Sequence, residues 1–354
     1  MQSRHGISQP VHHQGDLGNW MARYWNTVGT KTLLQLTLPG SHNSGNYAGA
    51  LSADVLCSSD YRYSAYLRDS STGPTPLSKE EFDRHMIPWN INHFLPMSQQ
   101  LTNDGVRFFH LKVCNVGRVH DGILDLESIR FQHRGYTTRE TVASTISMLK
   151  AFLADHPHEV VVLAFSNLHN FSEADILGFA QGLVQQIGVG GLVERRDLET
   201  KTVAELVATG KRILVFLAGP PAVAAKMPLG IVPSIDALVE DWSDSAMADG
   251  DLEASKAWLV KRLQAGAKQP NNFFVLQANP NNRESSMFAA MNSGKGPQSN
   301  EAFLESFLRQ LDNLVSDAAT STPGMRVNAV NSDFLNISKP FNIALGLMGI
   351  KISS

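Results

Sequence analysis

The sequence of 354 residues has few cysteines, no excess of basic residues and no long apolar run. Its two cysteines, Cys57 and Cys114, are too few for a disulfide scaffold and lack the spacing of a metal site. We expect two buried free thiols, with a disulfide as the alternative for an exported protein. The formal net charge of -3 excludes the basic excess typical of nucleic-acid-binding proteins, so we expect no nucleic-acid partner.

The sequence also has no apolar stretch that approaches the length of a membrane span, which predicts a chain without a transmembrane helix. Residues 1–20 are polar and lack the apolar core of a signal peptide. We therefore expect either a cytoplasmic protein or the mature form of a secreted one. Because no linker is evident, we predict one domain over residues 1–354, with its core at about 30–345 and an N-terminal extension at 1–25.

Apolar, β-branched runs alternate with helical patterns along the chain, and several of these runs are continuous. Continuous runs are typical of strands that are buried on both faces of a parallel sheet. The predicted strands are Thr32–Leu38, Arg107–Val113, Arg130–His133, Val160–Phe165, Ile213–Phe216, Gly230–Ile235, Phe273–Gln277 and Val327–Phe334. The predicted helices are Arg139–Asp155, Glu173–Ile187, Glu253–Ala265 and Glu301–Ala318. Eight strands that alternate with helices predict an α/β fold, a TIM-type (β/α)8 barrel.

One segment, Ala48–Met97, does not fit the alternation, because it is long and rich in serine, proline and tyrosine. A loop of this length in a compact domain is usually functional or disordered. Since it leaves directly after the first predicted strand, we expect an excursion that forms a wall of the functional site. The barrel is accordingly predicted to be distorted.

Three polar residues lie at the ends of predicted strands: His42 after the first, His133 after the third and Asp333 near the end of the last. In a closed barrel the first and last strands are neighbours, so Asp333 is expected to reach His42. A carboxylate that orients one imidazole, with a second imidazole across a cleft, performs general acid–base catalysis. A single histidine is more often structural than catalytic. The glycine-rich context of His42 and the strand-end position of His133 favour the catalytic interpretation.

Beyond single residues, an ordered series of motifs between about Leu33 and Phe334 resembles the catalytic X domain of phosphatidylinositol-specific phospholipase C. Each motif alone is weak, whereas the order of the series is specific. The motifs are Pro39-Gly40-Ser41-His42-Asn43-Ser44, Asp104-Gly105-Val106-Arg107-Phe108-Phe109-His110-Leu111-Lys112-Val113, Phe131-Gln132-His133-Arg134-Gly135, His156-Pro157-His158-Glu159-Val160-Val161-Val162-Leu163, Gly210-Lys211-Arg212-Ile213-Leu214-Val215-Phe216, Phe274-Val275-Leu276-Gln277-Ala278 and Val330-Asn331-Ser332-Asp333-Phe334.

The resemblance implies a distorted barrel that cleaves a glycerol-linked phosphodiester with two histidines and without a cofactor. By analogy with the family, His42, oriented by Asp333, is the general base that takes the proton of the inositol 2-hydroxyl. His133 is the general acid that protonates the diacylglycerol oxygen. The implied products are diacylglycerol and a cyclic inositol phosphate. The implied partner is an inositol phospholipid reached by transient contact with a membrane surface, and we expect a monomer.

The second-strand motif bears on metal binding. Calcium needs several oxygen ligands, mostly carboxylates, and calcium-dependent members of the family place acids on this strand. Here Asn43 follows the first histidine, but the strand carries His110 and Lys112. Lys112 replaces the arginine of metal-independent members as a point charge. We therefore predict no metal, include Lys112 and Asn43 in the catalytic set, and place His110 at the substrate.

The headgroup site departs further from the family. Basic side chains at the ends of the fourth and fifth strands are replaced by Ser166-Asn167 and Leu217-Ala218, and we add Asn167 and His169 as substrate-binding candidates. Two alternatives stay open. A glycerophosphodiester phosphodiesterase has a similar histidine motif, but on its first strand and followed by paired acids. A catalytically silent barrel that binds phospholipid or inositol phosphate would account for the missing acids and basic residues.

Overall fold

The computed structural model describes residues 16–58, 61–69, 76–117, 119–120, 123–240, 252–266, 270–280, 284–320, 322 and 326–351. Its strands are β1 (Leu38–Ser41), β2 (Leu51–Leu56), β3 (Phe108–Asn115), β4 (Val119–His120), β5 (Ile123–Leu124), β6 (Ile129–His133), β7 (Tyr136–Thr141), β8 (Val161–His169), β9 (Ile213–Leu217), β10 (Ile231–Pro233), β11 (Leu238–Glu240), β12 (Phe273–Gln277) and β13 (Ala329–Ser332). Its helices are α1 (Trp20–Arg23), α2 (Trp25–Val28), α3 (Tyr63–Asp69), α4 (Lys79–Asn90), α5 (Met97–Asn103), α6 (Val142–Asp155), α7 (Glu173–Ile187), α8 (Asp197–Thr200), α9 (Val203–Ala208), α10 (Pro221–Ala224), α11 (Ser234–Ala237), α12 (Leu252–Gly266), α13 (Glu284–Ser293), α14 (Asn300–Leu308), α15 (Leu311–Thr320), α16 (Leu335–Ser338) and α17 (Pro340–Leu347). None of the helices in these ranges is long and apolar enough to span a membrane.

Eight parallel strands form the barrel, in the order β10, β9, β8, β3, β1, β13, β12 and β11. The first and last strands of the chain are neighbours, because β1 pairs in parallel with β13. The end strands β10 and β11 follow each other through α11 and share no hydrogen-bonded ladder within the described ranges. The predicted fold, a distorted (β/α)8 barrel with a long excursion after its first strand, is confirmed.

Aromatic side chains fill the barrel below its carboxyl-terminal end. Phe273 stacks on Phe108 with 5.8 Å between ring centroids and meets Phe216 at 5.4 Å. All three rings are buried and come from β12, β3 and β9, which lie on different sides of the barrel. This apolar filling excludes a channel along the axis and leaves the carboxyl ends of the strands for polar chemistry.

The predicted first strand is wrong over most of its length. Residues Leu33–Gln35 form a 3-10 helix, and β1 starts only at Leu38. A capping box explains the helix, because the backbone N–H of Thr32 donates to Oε1 of Gln35 at 3.0 Å. The apolar residues of this stretch are buried in the core, so burial and not strand formation accounts for the apolar run.

The predicted third barrel strand is also assigned wrongly. Residues Ile129–His133 do form a strand, β6, but it pairs antiparallel with the end of β3 and with β7. The structure thus has a hairpin at the rim of the barrel where the pattern predicted a strand of the barrel wall. The place in the barrel is taken by β11, which the sequence analysis missed. A strand of three residues (Leu238–Glu240) gives almost no periodic signal.

Other predicted elements are shifted or divided. The predicted strand Gly230–Ile235 divides into β10 and α11, and the predicted helix Glu301–Ala318 divides into α14 and α15. The helices Arg139–Asp155, Glu173–Ile187 and Glu253–Ala265 correspond to α6, α7 and α12. The assignment of the whole chain to one domain stays a prediction.

The excursion after β1 is a folded unit that contains β2, α3 and α4. Strand β2 pairs antiparallel with β7, which attaches the excursion to the rim hairpin. A disulfide joins Cys57 of the excursion to Cys114 of β3, so the expectation of two free thiols is wrong. Both cysteines are fully buried, as expected, but the fold brings them together across a separation of 57 residues that local sequence does not reveal.

Candidate functional site

The site is built around two residues that directly follow neighbouring strands. Ser41 and Ser332, the last residues of β1 and β13, are register partners, so His42 and Asp333 leave the sheet side by side. Nδ1 of His42 lies 2.7 Å from Oδ1 of Asp333. The structure therefore brings together the histidine and the carboxylate that the strand ends predicted. A carboxylate accepts hydrogen bonds only, so Nδ1 carries the proton and Nε2 is the ring nitrogen that can act on a ligand.

Burial controls the protonation of this pair. It lowers the pKa of His42 well below its usual range, and the charges of Lys112 and Arg134 add to the effect. Burial also raises the pKa of Asp333 to about 6. The side chain of Asn300 donates to Oδ2 of Asp333 at 3.2 Å, and the backbone N–H of Asp333 donates to Oδ1 of Asn279 at 2.6 Å. A neutral imidazole held by a fixed carboxylate is the form that a general base requires.

His133 reaches the site from the rim hairpin. It is the last residue of β6, and the turn to β7 has positive φ at Arg134 (47°) and Gly135 (92°). Nδ1 of His133 donates to the backbone carbonyl of Asn90 at 3.2 Å, which makes Nε2 the nitrogen that faces a ligand. Burial lowers the pKa of His133, and the charges of Arg134, Lys112 and His42 act in the same direction.

The loop after β1 lies close to this hairpin because it contains a glycine. A Cβ atom at Gly45 would collide with the ring of Phe131, which precedes His133 on β6 by two residues. Gly45, which directly follows the His42 motif, is thus needed for close approach of the two histidine-bearing segments.

Two cationic side chains act electrostatically on both His42 and His133. Lys112 and Arg134 each lower the pKa of His42 and that of His133, so both cations lie near both imidazoles. The sequence analysis included Lys112 but omitted Arg134, although it stands next to His133 in the quoted motif. The guanidinium of Arg134 donates to the carbonyl of Trp89 at 3.3 Å. Two cations beside two imidazoles form a binding site for a phosphate group.

Asn43 lies in the site with a left-handed backbone conformation, at φ 48°. Its side chain is buried, and neither its amide nitrogen nor its amide oxygen has a hydrogen-bond partner among the described residues. Leaving both ends of a buried amide unpaired is costly, and such a group in a native protein indicates a ligand or water position. Its location beside His42 makes Asn43 a group that can bind a substrate.

His110 is buried beside His42, with 5.1 Å between the centroids of the two rings. Its Nε2 lies 2.7 Å from Oγ of Ser166 and 3.8 Å from Oε2 of Glu240. Gln277 donates from Nε2 to the same carboxylate at 3.2 Å. Glu240 and Gln277 are the last residues of β11 and β12, and the sequence analysis missed Glu240 because it missed the strand. Glu240 and Gln277 thus form a hydrogen-bonding wall beside His110.

Asn167 and His169 lie further out than the other candidates. Lys112 of β3 is opposite Ser166 of β8, and a bulge at Asn167 shifts the register, so that His169 is opposite Cys114. The side chain of Asn167 is exposed and His169 is half-buried. Both residues are therefore at the rim, beyond the level of Lys112, and the structure does not gather them with His42 and His133. Their assignment to the substrate stays a prediction.

No cluster of three or more histidine, cysteine, aspartate or glutamate side chains suited to a metal ion occurs within the described ranges. The groups around the two histidines carry charges of both signs, since Lys112 and Arg134 act on the imidazoles and Glu240 lies 3.8 Å from Nε2 of His110. The geometry supports proton transfer at a bound phosphate ester.

No model of a protein family matches the chain. Among curated proteins, it is 24% identical over 203 residues to the PI-PLC X domain-containing protein 1 of mouse and 23% identical over 197 residues to that of human. These alignments cover 57% and 56% of this chain and 53% and 55% of the relatives. The chain thus matches about half the length of each curated relative.

Solved structures are similar over nearly the whole chain. The phosphatidylinositol-specific phospholipase C of Listeria monocytogenes has a TM-score of 0.58 at 12% identity, covering 96% of this chain and 100% of the other. A mutant of the Staphylococcus aureus enzyme has a TM-score of 0.55 at 15% identity, covering 96% and 98%. The resemblance to the X-domain family that the motifs indicated is confirmed, and at this identity the structures establish the fold.

Proposed function

From the similarity of this chain to the PI-PLC X-domain family, we propose that it is a phospholipase C-like phosphodiesterase. In this proposal it cleaves the glycerol–phosphate bond of phosphatidylinositol or a related lipid by metal-independent catalysis with two histidines. The observation that carries the proposal is the hydrogen-bonded pair of His42 and Asp333, with His133 and two cations close enough to act on it electrostatically. The hydrogen bonds at Nδ1 of His42 and of His133 leave Nε2 of each ring to face a ligand.

The reaction begins at the headgroup hydroxyl next to the phosphate. Nε2 of His42 takes the hydroxyl proton as the oxygen attacks phosphorus, and Asp333 stabilises the imidazolium that forms. The bond between phosphorus and the glycerol oxygen breaks, and Nε2 of His133 gives its proton to that oxygen. Diacylglycerol leaves, and the headgroup keeps the phosphate as a cyclic ester. One proton is taken up and one is given, and one bond to phosphorus forms while another breaks. The step therefore needs no further reactant.

His133 must carry a second proton to act as the acid. In the free protein burial and the neighbouring cations keep its pKa low, so the ring is neutral. A bound phosphate brings a negative charge between the cations and the ring, which raises the pKa of the imidazole. Substrate binding therefore favours protonation of His133, the acid. Lys112 and Arg134 stabilise charge on the phosphate oxygens in place of a metal ion.

The wall formed by Glu240 and Gln277 is proposed to accept the headgroup. Carboxylate and amide oxygens accept hydrogen bonds from hydroxyl groups, and Glu240 repels a headgroup that carries further phosphates. Ser166 of β8 and Leu217, the last residue of β9, are neutral. This composition favours an uncharged polyol such as inositol.

Membrane contact is proposed through apolar side chains at the same end of the barrel. Val116 follows β3, Ile123 lies in β5 and Ile235 lies in α11, with exposed fractions of 42%, 38% and 60%. Val116 and Ile123 belong to the connection that leaves the carboxyl end of β3, and Ile235 belongs to the connection after β10. Exposed apolar groups around a cavity are typical of surfaces that meet a lipid bilayer.

A silent binding barrel is the competing function, and the lowered pKa of His133 favours it because a neutral ring is no acid. The test is release of diacylglycerol from phosphatidylinositol vesicles in EDTA, with 31P NMR to identify the phosphate product. His42→Ala and His133→Ala should each lower the rate by about 10²- to 10⁴-fold. His85→Ala, on the exposed side of α4, is the matched control and should leave the rate unchanged.

Each other outcome contradicts part of the proposal. Loss of cleavage in EDTA would contradict metal-independent catalysis. Cleavage of glycerophosphoinositol without cleavage of the lipid would indicate a glycerophosphodiester phosphodiesterase. Binding of inositol phosphate without turnover would indicate a silent barrel.

A further inference from the structure

A segment made of the last two residues of α4 and the three residues after them, residues 89–93, contacts both sides of the site. We call it the 89–93 segment. Pro88 stands in the last turn of α4, and the helix ends two residues later at Asn90. From there the chain is extended, with Ile91 at φ −76° and ψ 126°. Its peptide carbonyls are therefore available to other parts of the fold.

The segment holds the acid side of the site with two consecutive residues. The carbonyl of Trp89 accepts from the guanidinium of Arg134 at 3.3 Å. The carbonyl of Asn90 accepts from Nδ1 of His133 at 3.2 Å. The second contact fixes the tautomer of His133, because a carbonyl oxygen can only accept.

The next two residues hold the carboxylate. Asn300 donates from Nδ2 both to the carbonyl of Ile91 and to Oδ2 of Asp333, each at 3.2 Å. The carbonyl of Asn92 accepts from the backbone N–H of Phe334 at 2.8 Å. The end of β13 and the carboxylate that follows it are thus tied to the same segment.

His93 holds the base. Its Nε2 donates to the backbone carbonyl of His42 at 2.7 Å and lies 3.0 Å from Oγ of Ser41. Ser41 in turn donates to Oε1 of Gln100 at 2.6 Å, so the loop after β1 is fixed to the return path of the excursion. His93 is fully buried, and its Nδ1 has no hydrogen-bond partner among the described residues.

We propose that the 89–93 segment positions the acid and the base together and that His93 is its positioning residue for His42. Five consecutive residues contact Arg134, His133, Phe334 and His42 directly and reach Asp333 through one side chain. A displacement of the segment would therefore move both histidines at once. Nothing in its sequence marks this role, since four of the five contacts use backbone carbonyls.

Electrostatics agrees with a neutral His93. Burial lowers its pKa to about 4, against the attraction of Asp333, and His42 is the other titratable group that acts on it. Protonation would add an N–H at Nδ1, where the described residues provide no acceptor. His93 thus acts as a fixed donor through Nε2 and takes no part in proton transfer.

The test compares three variants, and its kinetic part rests on the proposed function. His93→Leu removes the donor, His93→Gln keeps an N–H at a similar reach, and His85→Leu makes the same change at an exposed position of α4. His93→Leu should lower kcat by about 10- to 100-fold with little change in KM, since misplaced catalytic groups cost rate more than binding. His93→Gln should recover most of the rate, and His85→Leu should match the wild type.

A readout without turnover separates this inference from the proposed function. The ring 15N and 1H signals of His42 and His133 should both shift in His93→Leu and stay in place in His85→Leu, even if the protein cleaves no lipid. Unshifted signals of His42 would overturn the role of His93. A shift confined to His42 would overturn the joint positioning of the two histidines. If His93→Leu and His93→Gln lose kcat equally, and the unfolding midpoint falls in both, His93 has only a structural role.

Discussion

Reduction of the Cys57–Cys114 disulfide should destabilise the protein by an amount that follows from the length of chain it closes. The two cysteines are 57 residues apart. In the chain-entropy model, a loop of this length lowers the entropy of the unfolded state by about 14 cal/mol/K, or about 4 kcal/mol at 25 °C. That is a large share of the net stability of a typical domain, about 5–15 kcal/mol.

We expect the native structure to offset little of this entropic stabilisation by the disulfide. Both sulfurs are buried, and the backbone N–H of Cys57 donates to the carbonyl of Gly135 at 2.7 Å, so the excursion is fixed to the rim hairpin independently of the bond. The folded state should therefore survive reduction, and the loss should appear as a gain in entropy of the unfolded chain. Since this backbone hydrogen bond keeps the excursion attached to the rim hairpin, the kcat of the reduced, folded protein should stay close to that of the oxidised form.

Urea unfolding of the oxidised and the reduced protein, followed by tryptophan fluorescence, measures the difference. The double variant Cys57→Ala/Cys114→Ala is the matched control and should unfold near the midpoint of the reduced protein, with or without reductant. Equal free energies of unfolding for the oxidised and reduced wild type would refute the reasoning. So would a reduced protein that is folded by circular dichroism but has lost its two-histidine site by NMR.

Four further predictions concern the site and the core. Asp333→Asn should lower kcat by about 10³- to 10⁴-fold in steady-state assays with little change in KM, since it removes the group that fixes the tautomer of His42. Because burial raises the pKa of Asp333 to about 6, kcat should fall as the pH drops through that value and the carboxylate is protonated; a constant kcat down to about pH 5 would contradict this. Glu240→Gln should raise KM for phosphatidylinositol by about tenfold, the worth of a charge-assisted hydrogen bond, and weaken discrimination against a phosphorylated headgroup. Arg107→Met should lower the free energy of unfolding by about 3–5 kcal/mol in urea titrations. In the wild type the guanidinium of Arg107 lies 2.7 Å from the fully buried carboxylate of Glu159, and the variant leaves that carboxylate without its cationic partner.

The pairing of His42 with Asp333 was predictable because it follows from two rules that act through the sheet. The apolar runs located the first and last strands, and closure of a barrel makes those strands neighbours. The error in the start of β1 did not matter, since only the carboxyl end of the strand places His42. Register then brings Ser41 opposite Ser332, and the two functional side chains follow.

His133 was predicted as a site residue, but the structure brings it to the site by a different element from the predicted one. The pattern placed it at the end of a barrel strand, whereas it ends one strand of an antiparallel hairpin. Both arrangements bury an apolar run of similar length, so periodicity does not distinguish them. Arg134 and His93 were missed because their roles depend on contacts with residues 89–90 and 41–42, which no local pattern encodes.

The replacement of a family acid by His110 illustrates why a departure at one position is a poor guide to the charge of a cavity. Taken alone, His110 indicates a lost carboxylate on β3. In the folded chain Glu240 of β11 lies 3.8 Å from Nε2 of that imidazole and is held by Gln277 of β12. The site therefore has a carboxylate beside His110 that is supplied by a different strand. Glu240 could not be predicted as a site residue, because β11 has only three residues and gives almost no periodic signal. The loss of an acid from one strand of a barrel indicates a silent site only when the ends of the other strands have been examined for its replacement.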